Sequence, residues 1–378
     1  MKAGDKKFWF ATATLIASTV GVGYYGLPFA ISKAGLTAGL FFFILVTALM
    51  LLGNLLFGEV ILRTHRRHQL VGYVNKYLGA WARKINLFVF WVAIYGGMIA
   101  IIIISGDFLA NFLVYFIDLS PAVFSTIFLI SITIVANLGL KFVSKLDLFV
   151  FSVIGVIVIF ILTAGVNHIN FDNFSFTISD YWFLPFGVIL FSLSQSGLPL
   201  LREVLAGEEK KMRKAIILGT LLPATFYLVF ALLVIGISGD ITSPDAISGL
   251  QAFLGPVAVI IGSILGFITA TTIFLNMATS LRESLEEDFK MKARWVWILA
   301  LTPPYILFLS GIRNFVDIIS LVGGVAVSAQ LILMIFLYAK AKKEGERIPE
   351  YAVRIPNWAL YLMMLVFAAG AFYTVIIK

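Results

Sequence analysis

"GVGYYGLPFA", residues 21–30, interrupts the first apolar run of the chain, which extends from Phe8 to about Ser32. Three glycines and one proline fall within these ten residues. Each interior glycine costs a helix roughly 1 kcal/mol relative to alanine, and an interior proline about 3 kcal/mol. The run is long enough to cross a bilayer, yet its centre is composed against helix. Where such a break is placed, and what it is paired with, decides the fold.

The surrounding composition sets the class. The chain is 61% hydrophobic and 13% charged, with a mean hydropathy of +1.01. That composition predicts an all-helical, polytopic membrane protein and not a soluble domain. The 35 phenylalanines are read as lipid-facing and packing residues. With no cysteine, disulfides, thiol catalysis and thiolate metal sites are excluded. The three histidines, His65, His68 and His168, fall in loops, which leaves none for an intramembrane metal site. Residues 1–7 are short and charged, and the apolar run behind them is too long for a signal peptide. It reads as the first membrane span.

Stretches of about 20 apolar residues bounded by charge or turn signals predict eleven spans. They are 8–32, 36–62, 85–117, 120–140, 146–166, 181–202, 214–238, 250–281, 295–310, 315–339 and 357–377. Distributed over alternating loops, 25 of the 28 lysines and arginines fall on the side of the N-terminus. Only Lys33, Arg313 and Lys378 fall on the other. This bias predicts a cytoplasmic N-terminus and an extracytoplasmic C-terminus in a plasma membrane. The net charge of +8 is thus mainly topology, and no nucleic-acid partner is implied.

Span six, "FGVILFSLSQSGLPLLREVL" at 186–205, also has a non-helical centre. Gly-Leu-Pro occurs at Gly26–Pro28 and again at Gly197–Pro199. The two spans run in opposite directions and stand five spans apart. Paired interruptions of this kind mark an inverted-repeat transporter. Irregular backbone survives at membrane depth only where it lines a cavity or is buried in protein. The N–H groups freed in span one, with the half-helix dipole, suit a carboxylate. The freed carbonyls suit an ammonium group or a cation.

The stretches "TLIASTVGVGYYGLPFA" in span one, "IIIISGDFL" in span three and "FGVILFSLSQSGLP" in span six resemble the amino acid/auxin permease family of the amino acid–polyamine–organocation superfamily. They are close to the bacterial aromatic amino acid permeases. The resemblance implies one transmembrane domain over 1–378 with the leucine-transporter fold. Repeat one would cover about 8–166, repeat two about 181–339, and an extra helix 357–377. It implies secondary active uptake of amino acids by a sodium or proton symporter, without a bound cofactor and functional as a monomer. Carried over by position, the amides of Val22 and Gly23 would meet the substrate carboxylate. The carbonyls of Thr19, Phe191 and Ser192 would face its ammonium. Ser194, Gln195 and Ser196 would border the pocket, where the family more often has a phenylalanine- and glycine-rich stretch.

A sodium ion in this fold commonly sits between the break of span one and span eight. Lining up the charged inner end of span eight puts Thr269 at the hydroxyl position, with carbonyls from Ala17, Val20 and Leu265. Hydroxyl and carbonyl oxygens suit a hard cation. Thr271 and Thr272 stand close enough to substitute, and a threonine in a membrane helix ordinarily bonds its own helix one turn back. Some relatives replace this sodium with a span-five lysine, which this chain lacks. Asp107, an acid within span three, is the proton candidate. Glu59 reads as an acid reaching the interface, and Asn54, Asn137 and Asn276 as interhelical hydrogen bonds. An intramembrane enzyme would need a nucleophile–base set or a metal cluster, which the spans lack. A channel, or an amino-acid-gated sensor on the same fold, remains the alternative.

Overall fold

A computed structural model of the chain describes residues 3–117, 119–137, 163–289 and 293–376, with the isolated positions 156, 159, 161 and 291. Most of the expected fifth span, the end of the fourth, and Lys2, Lys141, Lys145, Lys290, Lys292 and Lys378 lie outside the described residues, as does the side chain of Asn137. Among the described residues all regular structure is helical. The helices are α1 (Ala3–Thr19), α2 (Gly26–Ala34), α3 (Leu36–Arg63), α4 (Leu70–Leu113), α5 (Pro121–Asn137), α6 (Leu184–Ser192) and α7 (Leu198–Val204). They continue with α8 (Met212–Ser238), α9 (Gln251–Phe289), α10 (Ala293–Leu309), α11 (Phe315–Leu321), α12 (Ser328–Glu344) and α13 (Asn357–Ile376). A 3₁₀ turn, Val22–Tyr25, joins α1 to α2, and a π turn, Val322–Val327, joins α11 to α12. Among the described residues six helical stretches are long and apolar enough to cross a membrane, and a seventh is formed by the first two helices, bent by 59° at their break.

The helices pack in two groups. In one, α8 lies along α1, α2 and α3, and α6 packs on α2 and α3. In the other, α4 carries α5, α9 and α10. The α11–π–α12 unit touches both groups, through α6 and α3 on one side and α4 on the other, and α13 packs on α12.

Two helices begin differently from the hydropathy pattern. The expected span 85–117 is preceded by a helical segment from Leu70, broken at Gly79 (φ 84°, ψ 179°). That segment is amphipathic: Tyr73, Val74 and Tyr77 are buried, whereas Asn75 and Lys76 are exposed. At ten residues it is too short to register in a search for spans of about 20 apolar residues. The helix of span eight bends in the same way at Gly255 (φ 75°, ψ 174°), immediately before Pro256. Both bends need a left-handed φ, which glycine adopts without steric cost.

The loops gather at two ends. At the basic end, Arg202 donates to the carbonyls of Ile61 (3.0 Å) and Thr64, and Lys7 donates to Ala206 O at 2.7 Å. Lys211 pairs with Asp5 at 3.3 Å, and Lys76 with Glu346. Lys76, and then the His65 amide, hold the Glu346 carboxyl below its ordinary range. At the other end, the Leu36 amide donates to Ser175 O at 2.8 Å and Asn173 Nδ2 to Gly236 O at 2.8 Å. The segments that follow even-numbered expected spans thus meet one another and the N-terminal segment, and those that follow odd-numbered spans meet at the other end.

Helices approach most closely where glycines face each other. A Cβ at Gly187 of α6 would lie 2.1 Å from Ser320 O, and one at Gly323 of the π turn 1.9 Å from Gly187 O. Both clashes are with backbone, which has little room to yield. Gly187→Ala and Gly323→Ala are each expected to cost about 1–3 kcal/mol, read as a lower unfolding temperature in detergent. Gly21→Ala, where the nearest atom would be Thr19 O at 4.0 Å, should stay within about 0.5 kcal/mol of the parent. Equal unfolding temperatures for the three variants would refute this contact.

Candidate functional site

The two interruptions meet. The helix of span one stops at Thr19, and the chain re-enters through the buried turn Val22–Tyr25. Span six stops at Ser192, runs irregularly through residues 193–197 and restarts at Leu198. A Cβ at Gly23 would stand 2.7 Å from both Phe191 Cδ1 and Ser192 Oγ, and 3.0 Å from Ser192 Cα. A Cβ at Gly197 would stand 2.5 Å from Ser18 Oγ. Glycine at 23 and 197 thus lets each break lie against the other span. The helix α9 also reaches the 3₁₀ turn, so three elements converge at this depth.

Open space lies beside Gly21 and not beside Gly23. Gly21 is extended (φ −125°, ψ −172°) and caps the turn with no side-chain hydrogen bond to the first amides. Uncapped amides at a helix start are the groups that receive anions. Thr19 O, carried over as a partner for a substrate ammonium, accepts a hydrogen bond from Tyr227 Oη at 3.2 Å. Ser192 Oγ donates to Val188 O at 2.7 Å, and Ser194 Oγ to Phe191 O at 2.9 Å. Ser196 is exposed and Val22 fully buried.

Gln195 is turned away from the break. Its Oε1 accepts from Asn54 Nδ2 at 3.0 Å, and its Nε2 donates to Gly219 O at 3.2 Å and Thr220 Oγ1 at 3.3 Å. Asn54 also donates to Thr220 Oγ1 at 3.2 Å. The side chain pins the irregular centre of span six to α3 and α8. Asn54 is the interhelical hydrogen bond read from the sequence.

An aromatic cluster that the sequence reading passed over covers the turn. Tyr24 and Tyr25 stack at 4.2 Å, Tyr24 stacks on Tyr227 at 5.4 Å, and Phe108 meets Tyr25 edge-on at 5.0 Å. All four are fully buried. Two bulky aromatics directly behind a glycine break were the available signal.

The cation candidates sit in two places. Thr269 is fully buried and donates to Leu265 O at 3.0 Å, and Thr272 donates to Ile268 O at 3.0 Å. Each hydroxyl keeps lone pairs for a cation while donating its proton to its own helix. Ala17 and Val20 close the last turn of α1, where the Val20 amide donates to Ile16 O at 3.1 Å. Asp107 lies on α4, one turn before Asn111. Asn111 donates to Asp245 Oδ2 at 2.9 Å and to Ser263 Oγ at 3.2 Å. Asp245 is only 4% exposed. Its burial was not legible, because it stands in a loop rich in serine. No group of three or more histidine or acidic side chains able to hold a metal occurs among the described residues.

The chain is 27% identical over 390 residues to the tyrosine-specific transport system 2 of Haemophilus influenzae, an alignment covering 94% of this chain and 93% of that protein. The model of the tryptophan/tyrosine permease family matches residues 5–375. A family match over nearly every residue, on a bundle of apolar helices, makes this an integral multi-pass membrane protein and a transporter, not an enzyme. The chain belongs to the tryptophan/tyrosine permease family.

Proposed function

We propose that the protein is a cation-coupled symporter that imports an aromatic amino acid by alternating access. The observation that carries this reading is the contact of Gly23 with Phe191 and Ser192, which brings two opposed half-helix breaks to one place. The substrate carboxylate is assigned to the amides that follow Gly21, where open space adjoins uncapped N–H groups. The name of the Haemophilus influenzae relative favours tyrosine or a similar aromatic side chain.

The paired bends at Gly79 and Gly255 support a leucine-transporter-type arrangement. Each precedes the long helix of span three or span eight, the equivalents in two five-span repeats at about 8–166 and 181–339. Span 357–377 is the addition, which makes eleven membrane spans in one domain. The lysine and arginine bias supports an N-terminus in the cytoplasm and a C-terminus outside the plasma membrane. The protein is read as a functional monomer.

The coupling ion is assigned to sodium, at Thr269 with the carbonyls of Leu265, Ala17 and Val20, because α9 reaches the opened turn of span one. A proton carried by Asp107 is the second reading, favoured by the placing of an acid within an apolar membrane helix. Sodium and substrate would share the backbone of span one, so each is expected to tighten the other by the same factor. Uptake into proteoliposomes and a binding titration with choline in place of sodium test this. Thr269→Ala should weaken the sodium effect roughly tenfold, about 1.4 kcal/mol, and Asp107→Asn should leave it intact. Affinity that does not respond to sodium, with uptake lost in Asp107→Asn, would transfer coupling to the proton.

Gln195→Leu is expected to slow uptake of every substrate alike and to cost about 1–2 kcal/mol of stability, because it removes a tie between helices and not a pocket wall. A changed ranking among tyrosine, tryptophan and phenylalanine in that variant would return Gln195 to the pocket.

A further inference from the structure

We propose that a cleft at the basic end is a binding site for the phosphate of an anionic glycerophospholipid. The cleft has a volume of about 430 Å³ and lies between the ends of α3 and α12 and the segment 352–356. Arg63, Lys342 and Arg354 supply three positive charges to its lining. Its one carboxylate, Glu59, is fully buried and already engaged. Glu59 Oε1 accepts from Arg63 Nε at 2.8 Å, and Oε2 accepts from the Val353 amide. Lys342 and Arg354 are exposed on the rim, so the cleft presents two positive charges that Glu59 does not balance.

The walls are fixed before any ligand arrives. The amides of Glu346 and Arg347 both donate to Arg63 O, at 2.9 and 3.2 Å. Tyr351 Oη donates to Leu55 O at 2.8 Å, and Tyr338 Oη to Val353 O at 2.9 Å. Between the cations the lining is apolar, with Val353, Ile355 and Pro356. A cationic rim over an apolar floor suits a phosphate ester attached to an apolar body better than a free anion.

The setting points to the same occupant. Helix α13 begins at Asn357, directly after Pro356. Trp358, Tyr361, Leu362 and Leu365 form an exposed stripe on its first turns, between 51% and 68% accessible. Their spacing of three and four residues puts them on one face, and an aromatic at a helix start marks the membrane–water boundary. Acyl chains would follow that stripe while the phosphate stays among the cations. Basic clefts between membrane helices bind anionic headgroups in this way. The proposal rests on the membrane setting and not on the transport mechanism.

The test uses the full-length protein, delipidated in detergent and exchanged into micelles with equal phosphatidylglycerol and phosphatidylcholine of the same chains. Retained lipid is counted by native mass spectrometry. The parent should hold phosphatidylglycerol over phosphatidylcholine by roughly tenfold to thirtyfold, as expected for two basic residues near a headgroup. Lys342→Gln/Arg354→Gln should reduce this preference to near parity. Both side chains are exposed, so an unchanged elution profile is expected. Arg66→Gln/Lys214→Gln removes the same charge from exposed positions elsewhere at that end and should keep the preference. Equal retention of the two lipids by the parent, or equal loss in both double variants, would overturn the site. A third arm adds inorganic phosphate alone. Displacement of phosphatidylglycerol by millimolar phosphate would assign the cleft to a free anion and overturn the lipid.

Discussion

Backbone polar groups that leave a helix at membrane depth must be covered by protein or by a bound ligand. This chain meets that constraint twice and lets each solution serve the other. Gly23 lies on Phe191 and Ser192, Gly197 lies on Ser18, and Tyr227 closes the carbonyl of Thr19. The placement of small residues, the pinning of Gln195 and the aromatic cover over Val22–Tyr25 all follow from keeping two broken helices side by side. What stays open beside the turn is the space at Gly21.

The same economy of side chains extends to the unit formed by α11, the π turn and α12. Gly187 and Gly323 bring the backbones of α6 and the π turn into contact. Gly26 of α2 faces Ile319, and Gly96 of α4 faces Val322. The unit therefore sits against one half of each broken span, α2 and α6, and against α4 at once. A π turn inside a helix is a frequent mark of function. Here it falls at the point where four elements touch.

Much of this was legible. The two breaks were visible because glycine and proline in an apolar run contradict a helix, and their pairing because Gly-Leu-Pro recurs. Asn54 was legible as a tie between helices because a lone amide in a span has few other uses. The start of α4 at Leu70 was not, since the segment up to Gly79 is only ten residues long, follows a basic stretch, and is too short for a window of about 20 apolar residues. The direction of Gln195 was not either. A polar residue at a break faces a ligand or a neighbouring helix with equal ease, and only the positions of Asn54 and Thr220 decide it. Asp245 was illegible for a related reason. Its burial depends on Asn111, Ser243 and Ser248 closing around it, and those partners carry no pattern along the chain.

Glu59 has a consequence for the order in which the molecule is made. Its partners are Arg63, four residues on, and the amide of Val353, nearly three hundred residues on. Chains are synthesised from the N-terminus, so the second span enters the bilayer with only the nearer partner. The clasp closes only after α12 has emerged. Until then the carboxylate is served by one arginine at the membrane boundary. The far end of α3 is thus completed last although it is made early, and the closing segments of the chain act as the fastener of its beginning.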